Sequence, residues 1–509
     1  PTMAELTRED VEARLEEYAA YIAVKEAHDN TGETSEPEAE SGEDEDSETK
    51  KPEEGDEEIL EEIEDDATGN GDEKSSMVPR LDDDDLSGLD LSDLDFLGIS
   101  MKNTNLKKAV LTRSDLSRVS LVNANLQETS LNETILSEAD LSGASMDRAH
   151  LEGANLEEAV LNSANLSEAK LERANLRKCK LVQANLSKSN LNEVTCGLAD
   201  FSRANLSEAQ AVGADLNRAR LNGANLADAD LTDSRLSMSV FFGAQFKGTN
   251  LNRAQLKGSK FIKAEFNGAC LTRADLTGAD LSDATIQKTN LLRAKLGGAI
   301  LRRGHLTDSN LSETDLNIAD LTNARLVKVT LSGSNLGRIK LNDANLQGVQ
   351  LTKANISKGK LSGVDLSGAD LSGGNLKGAD FTGAKLIGVD LSRADLVEAV
   401  LENAEIKNSF LAGADLRSTN LKNTNLEGSN LSGAKLTKAD LSQASLKNTN
   451  LSRADLEHAD LSGANLTQAD LTGAKLADAR FTNANLNGTN LTGADVTDAD
   501  FSDAKGYEP

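Results

Sequence analysis

The chain has 509 residues and a net charge of -30, with 3% aromatic residues and no Trp. A conventional globule of this length needs more large side chains to fill its interior, so composition points instead to a narrow core of Leu and small residues. Residues 1–85 hold 33 acids and 7 bases, a net -26, whereas 86–509 sum to only -4; direct nucleic-acid binding is therefore not expected, and the acidic arm favours basic partners or solubility.

The three cysteines, Cys179, Cys196 and Cys270, form no C-x-x-C pair, which fits a reducing compartment rather than a disulfide scaffold. No basic-then-apolar leader and no run of 18 apolar residues occurs. The expectation is a cytoplasmic protein without membrane insertion. The Asn-Leu-Ser/Thr triplets match a glycosylation acceptor but arise automatically from the repeat described below.

In chain order, residues 1–29 read as an amphipathic helix over 7–27. Thr7 caps it, with Asp10 three residues on as in a capping box. Val11, Leu15, Tyr18 and Ile22 fall on one face, and Glu12, Glu16 and Lys25 on the other. An isolated helix of this length is marginal in water, so the stripe must pack: on the end of the following domain as a cap, on a partner protein, or on a second copy. Residues 30–85 read as an acidic disordered linker, too poor in apolar residues to bury a core. Within it, Ile59, Leu60 and Ile63 in DEEILEEIEDD read either as part of a solvated tether or as a short motif that folds on a partner.

From Leu86 to Phe501 an apolar residue recurs at every fifth position, 84 positions in one register, large at all but Cys196 and Ala211. A small residue precedes each by two, usually Ala, and Asp or Asn usually stands between them. Helices need a period near 3.6 and strands a period of 2. A period of five suits a chain that turns a corner every five residues, closing a four-sided coil in twenty. Coils stacked about 4.8 Å apart would number about 21 and form a rod of about 100 Å. All five prolines lie outside 86–508, as a laddered backbone requires. Corners are expected to favour Asn, Asp, Ser and Gly. Phe241 and Phe261, and Phe246 and Phe266, are one coil apart and are expected to stack.

The A-(D/N)-L-x-x pattern, written as ADL, ANL and AKL from about residue 84 to 504, resembles that of the pentapeptide-repeat proteins. The resemblance implies an all-β fold, a right-handed quadrilateral β-helix with the Leu-type and Ala-type residues inside. Residues 86–505 are assigned to it and 506–509 to a tail. The best-understood members of that family resemble duplex DNA in width and negative surface, bind type II topoisomerases and protect them from inhibitors.

No catalytic residue, cofactor site or metal-ligand spacing emerges. His28, His150, His305 and His458 are far apart in sequence, and the regularly spaced Asp residues occupy a structural slot without a cleft to perturb them. On the side centred on Leu121, Leu181, Phe241 and Phe261, apolar residues are expected to point outward. Val182, Val240, Phe242, Ile262 and Ile300 are the candidate partner-binding positions there. The solenoid's C-terminal end is a second candidate surface, for pairing with another copy. The favoured function is a non-enzymatic interaction scaffold or rigid spacer whose N-terminal arm recruits a protein partner. The alternatives are a DNA mimic acting on gyrase, which the near-neutral body disfavours, and a structural part of a virion or filament.

Overall fold

A five-residue unit led by Asp or Asn can place every one of its backbone donors, and that accounting explains the repeat. The computed structural model describes residues 6–29 and 80–507; the unit Asn105–Ala109 is representative. The Leu106 and Lys108 N–H groups donate forward to the carbonyls of Asn125 (2.7 Å) and Gln127 (2.9 Å). Asn105 N–H donates back to Asp84 (2.8 Å), and Ala109 N–H closes a turn on Leu106 O (2.9 Å). The fifth donor, Lys107 N–H, meets the side-chain Oδ1 of Asn105 at 3.3 Å. Asp or Asn before the central Leu is thus the acceptor for the one donor that neither ladder nor turn uses. Proline at most of these slots would delete a required bond.

Parallel bridges join residues twenty apart without interruption, from Arg80↔Ser100 to Asn485↔Lys505. Leu166 and Leu186 consequently lie on one wall, Leu166 N–H bonding Asn185 O at 2.7 Å. The central Leu and the small residue both face inward and are buried through coil after coil. Burying each Leu contributes roughly 1.5–3 kcal/mol before chain entropy is subtracted. Where Thr or Ser takes the small slot its hydroxyl is satisfied: Thr129 Oγ1 donates to Leu106 O at 2.7 Å, and Ser239 Oγ to Leu216 O at 2.7 Å. Phe241 stacks on Phe261 and Phe246 on Phe266, each pair with centroids 4.7 Å apart and nearly parallel rings, as the twenty-residue spacing predicts.

The corners differ from expectation. The second residue after each central one has a positive φ, the third position of a type II turn, yet it is often Arg, Lys or Glu, and even Leu198, Met238 and Ile318 sit there at φ 64°, 62° and 56°. The left-handed region costs an L-residue roughly 1–2 kcal/mol. Charged occupants recover part of it by pairing with the same slot one coil away, as in Arg113–Asp93 at 2.8 Å, Arg303–Asp283 at 2.7 Å and Lys178–Glu158 at 2.5 Å. Exposed pairs of this kind are worth about 0.2–1 kcal/mol each.

The solenoid also begins earlier than the composition suggested. Arg80 is bridged, and Leu81 is 1% exposed with its N–H on Ser100 O, so residues 80–85 belong to the first coil rather than to the linker. Its acids are structural: Asp82 Oδ1 accepts from Lys102 N–H at 2.8 Å, and Asp85 Oδ1 from Ser87 N–H at 3.1 Å. Residues 30–79, including Ile59, Leu60 and Ile63, lie outside the described residues. At the other end Leu491, Val496 and Phe501 are only half-buried, and Tyr507 stacks on Phe501 with centroids 3.8 Å apart.

The Asx acceptors give the rod a pH dependence. A hydroxyl two residues on bonds the carboxyl of Asp470 (Thr472), Asp495 (Thr497) and Asp500 (Ser502) and holds each below the usual carboxylate range, with the backbone N–H of the same residue adding to the effect. A carboxyl depressed in the folded state stabilises above its unfolded pKa and loses that contribution as pH falls through the folded value. The melting temperature should therefore be level above about pH 5 and fall progressively below about pH 4, as circular-dichroism melts across pH 2–7 would show. A melting temperature that rises as acid is added would contradict this.

Candidate functional site

Among the described residues no coil precedes the one that starts at Arg80 to occupy its carbonyls, and the N-terminal helix takes that place. Helix α1 (Arg8–Asp29) starts at a capping box. Asp10 N–H bonds Thr7 Oγ1 at 3.3 Å, and the Asp10 carboxylate returns to Thr7 N–H at 2.8 Å. The helix lies on the coil by its predicted stripe. Val11 is fully buried, and Leu15 and Tyr18 pack against the solenoid core. Arg8 donates to the carbonyls of Asp90 (3.1 Å) and Ser92 (3.2 Å). Arg14 reaches Arg80 O (3.4 Å) and the Asp84 carboxylate (2.6 Å), and Tyr18 Oη donates to Gly98 O (3.1 Å). The Asp90, Ser92 and Arg80 carbonyls correspond to those that accept ladder bonds in later coils, so α1 satisfies an edge that would otherwise be open. The stripe caps the solenoid, and its inner part is no longer free for another protein.

Among the described residues nothing covers the outer part of the stripe. The outer faces of Leu15 and Tyr18, with Ala19 and Ile22 of α1 and Leu94 and Leu97 of the first coil, line an open groove of about 550 Å³. Leu97 is 48% exposed. Its rim is Glu12, Glu16, Glu26, Asp93 and Asp95. Glu12 pairs with Arg8 and Asp93 with Arg113, while Glu16, Glu26 and Asp95 make no ion pair among the described residues. Leu94 and Leu97 escaped the sequence reading, although a signal was there. Leu occupies the small slot only at Leu89 and Leu94, both in the first coil, and Leu97 stands where a polar residue is usual.

The side stripe on the body needs correction. Val182, Val240, Ile262 and Ile300 are half-buried, and of the five candidates only Phe242, at 48%, is well exposed. Neighbours one coil away on each side cover most of such a side chain: Val240 is bridged to both Arg220 and Lys260, and Ile300 to Asp280 and Asp320. At about 4.8 Å between coils only a strip of each remains open. Phe242 carries the Lys263 ammonium 5.5 Å from its ring centroid. The better exposed apolar residues, Met238, Ile318 and Phe410, are scattered over different coils and were not singled out.

Reactive chemistry is sparse. Among the described residues no group of three or more His, Cys, Asp or Glu side chains is placed to hold a metal ion. His150 and His458 each stand beside a carboxylate at 3.7 and 3.6 Å on the surface. Burial pushes the Cys179 thiol up to about 12 and raises that of Cys196 well above the ordinary thiol range, so neither is a nucleophile near neutral pH. Among the described residues no helix is long and apolar enough to cross a membrane.

Comparison with known proteins places the chain. A family model for pentapeptide repeats matches residues 85–123, 199–237 and, in overlapping segments, 239–503, and a second, for a pentapeptide repeat region, matches 109–186. No curated protein matches. Among solved structures, HetL, a pentapeptide repeat protein involved in heterocyst differentiation regulation in the cyanobacterium Nostoc sp. strain PCC 7120, is 38% identical over 38% of this chain and 89% of its own, with a TM-score of 0.25. A trypsin-treated form of QnrB1, a plasmid-mediated fluoroquinolone resistance protein, is 23% identical over 35% of this chain and 88% of its own, with a TM-score of 0.28. A pentapeptide repeat protein of the Arabidopsis thaliana thylakoid lumen is 32% identical over 23% of this chain and 71% of its own, with a TM-score of 0.12. With one five-residue register throughout the body and family matches over most of its length, the chain belongs to the pentapeptide-repeat family.

Proposed function

We propose that this protein is a non-enzymatic interaction scaffold: a right-handed, four-sided rod of about 21 coils and about 100 Å that engages a protein partner at its N-terminal end. One observation carries the reading. A ladder unbroken from Arg80 to Lys505 ends in an apolar groove between α1 and the first coil. A groove needs two fixed walls, and the helix is fixed by Arg8, Arg14 and Tyr18 on the coil's own carbonyls. The three free cysteines, of which Cys179 and Cys196 are buried, suit the cytoplasm.

The DNA-mimic reading gains no support from the surface. A mimic needs acids arrayed densely and unneutralised, yet many acids here are paired to bases one coil away, as in Asp233–Arg253 and Glu313–Arg293, and residues 86–509 sum to -4. The scaffold reading is tested by capture from extract of the source cells with the full chain and with Leu97→Asp, whose site is on the groove wall and outside the core. A protein retained by the first and lost by the second is expected. Identical retained sets, or no retained protein, would refute the reading.

A further inference from the structure

We infer that the groove between α1 and the first coil receives a basic amphipathic helix of the partner protein; this rests on the scaffold reading above and names its partner's class. The groove follows α1 from Leu15 to Glu26, which at 1.5 Å per residue is about 16 Å, or three turns of a second helix. Its floor is aliphatic and aromatic, and the two alanines, Ala19 and Ala23, leave room for a helix to approach closely. An incoming helix with Leu-type residues at i, i+3 and i+7 would lay one stripe along that floor, as in helix-in-groove recognition.

Charge selects among helices. Five carboxylates and no Lys or Arg line the groove. Two of the five are neutralised within the chain, and Glu16, Glu26 and Asp95 are left on both walls without an ion pair among the described residues. A partner with Lys or Arg flanking its apolar stripe would place cations against these three, fixing orientation and speeding encounter. The same rim opposes an acidic segment. The chain's own residues 30–79 contain 21 acids and 3 bases, so Ile59, Leu60 and Ile63 would enter only against repulsion. Anionic lipid surfaces and nucleic acids are disfavoured for the same reason.

The test uses the full chain and three fluorescein-labelled 14-residue peptides, with Leu at i, i+3, i+7 and i+10 and Lys, Gln or Glu at the flanking positions. Binding is read by fluorescence anisotropy. The Lys peptide should bind at least tenfold more tightly than the Gln peptide, the Glu peptide more weakly still, and the Lys affinity should fall with salt. Leu97→Asp adds an acid to the rim while spoiling the apolar seat, and Ala19→Trp fills the groove from an exposed helix position. Both should weaken the Lys peptide at least tenfold with the far-UV spectrum unchanged. Unchanged or tighter binding to both variants would mean that charge alone, including that of residues 30–79, holds the peptide, and would overturn the inference. Preference for the Gln or Glu peptide with the same loss in Leu97→Asp would also overturn it, while leaving the scaffold reading intact. Tighter Lys-peptide binding after joint Ile59→Ser, Leu60→Ser and Ile63→Ser substitution would show that the chain's own segment is the occupant and equally reject it.

Discussion

A Leu166→Asp substitution is expected to open the rod locally rather than unfold it throughout. Leu166 is fully buried, as are Ala164 beside it and Leu186 one coil on. Removing the aliphatic side chain costs about 2–5 kcal/mol even when Ala replaces it, and a carboxylate placed on the axis adds the penalty of a buried charge with no partner. The ladder bonds of that wall, Leu166 N–H to Asn185 O and Asn185 N–H to Ala164 O, are then lost together. In a solenoid each coil is stabilised by its own packing and that of its immediate neighbours, so damage should stay within about one coil on each side. Limited proteolysis should yield a cut near residues 146–186 and two resistant fragments, and hydrogen exchange should rise there alone. Uniform exchange along the whole rod would show a single cooperative unit and contradict this expectation.

Val11→Asp should detach the cap. Val11 is buried, at 0% accessibility, and a carboxylate placed there loses its water among apolar neighbours. The 22-residue helix is marginal once undocked, so its helical signal should fall together with its contacts. Loss of α1 also frees the carbonyls of Asp90 and Ser92 and uncovers the end of the core. An open edge of this kind recruits other edges, so sedimentation should show stronger concentration-dependent association than for the parent chain. Retained helicity with no change in association would mean that the docking is held by Arg8 and Arg14 and not by the apolar stripe.

The helix stripe and the side stripe show how far periodicity reaches as a guide to function. On α1 the four stripe residues do share one face, but Val11 is consumed by capping and the free groove needs Leu94 and Leu97, which no helical pattern contains. On the body, an outward position is not an exposed one when the next coil stands one strand spacing away. Val240 and Ile300 are half-covered by their neighbours for that reason, whereas Met238, at a corner, is 61% exposed.

What the amino-acid sequence determined by itself was everything that repeats: the wall each Leu occupies, the twenty-residue coil, the aromatic stacks and the exclusion of proline. A constraint imposed over and over between residues twenty apart leaves one register that satisfies all of them. The tertiary structure alone decided what happens once. Arg14 meets Asp84 and Tyr18 meets Gly98 across 70 and 80 residues, and the start of the ladder at Arg80 depends on Leu81 being covered. Such contacts form between two surfaces with no shared period, so nothing in the spacing of residues records them; they exist because an open coil end and an apolar helix each leave groups unsatisfied that the other can bury.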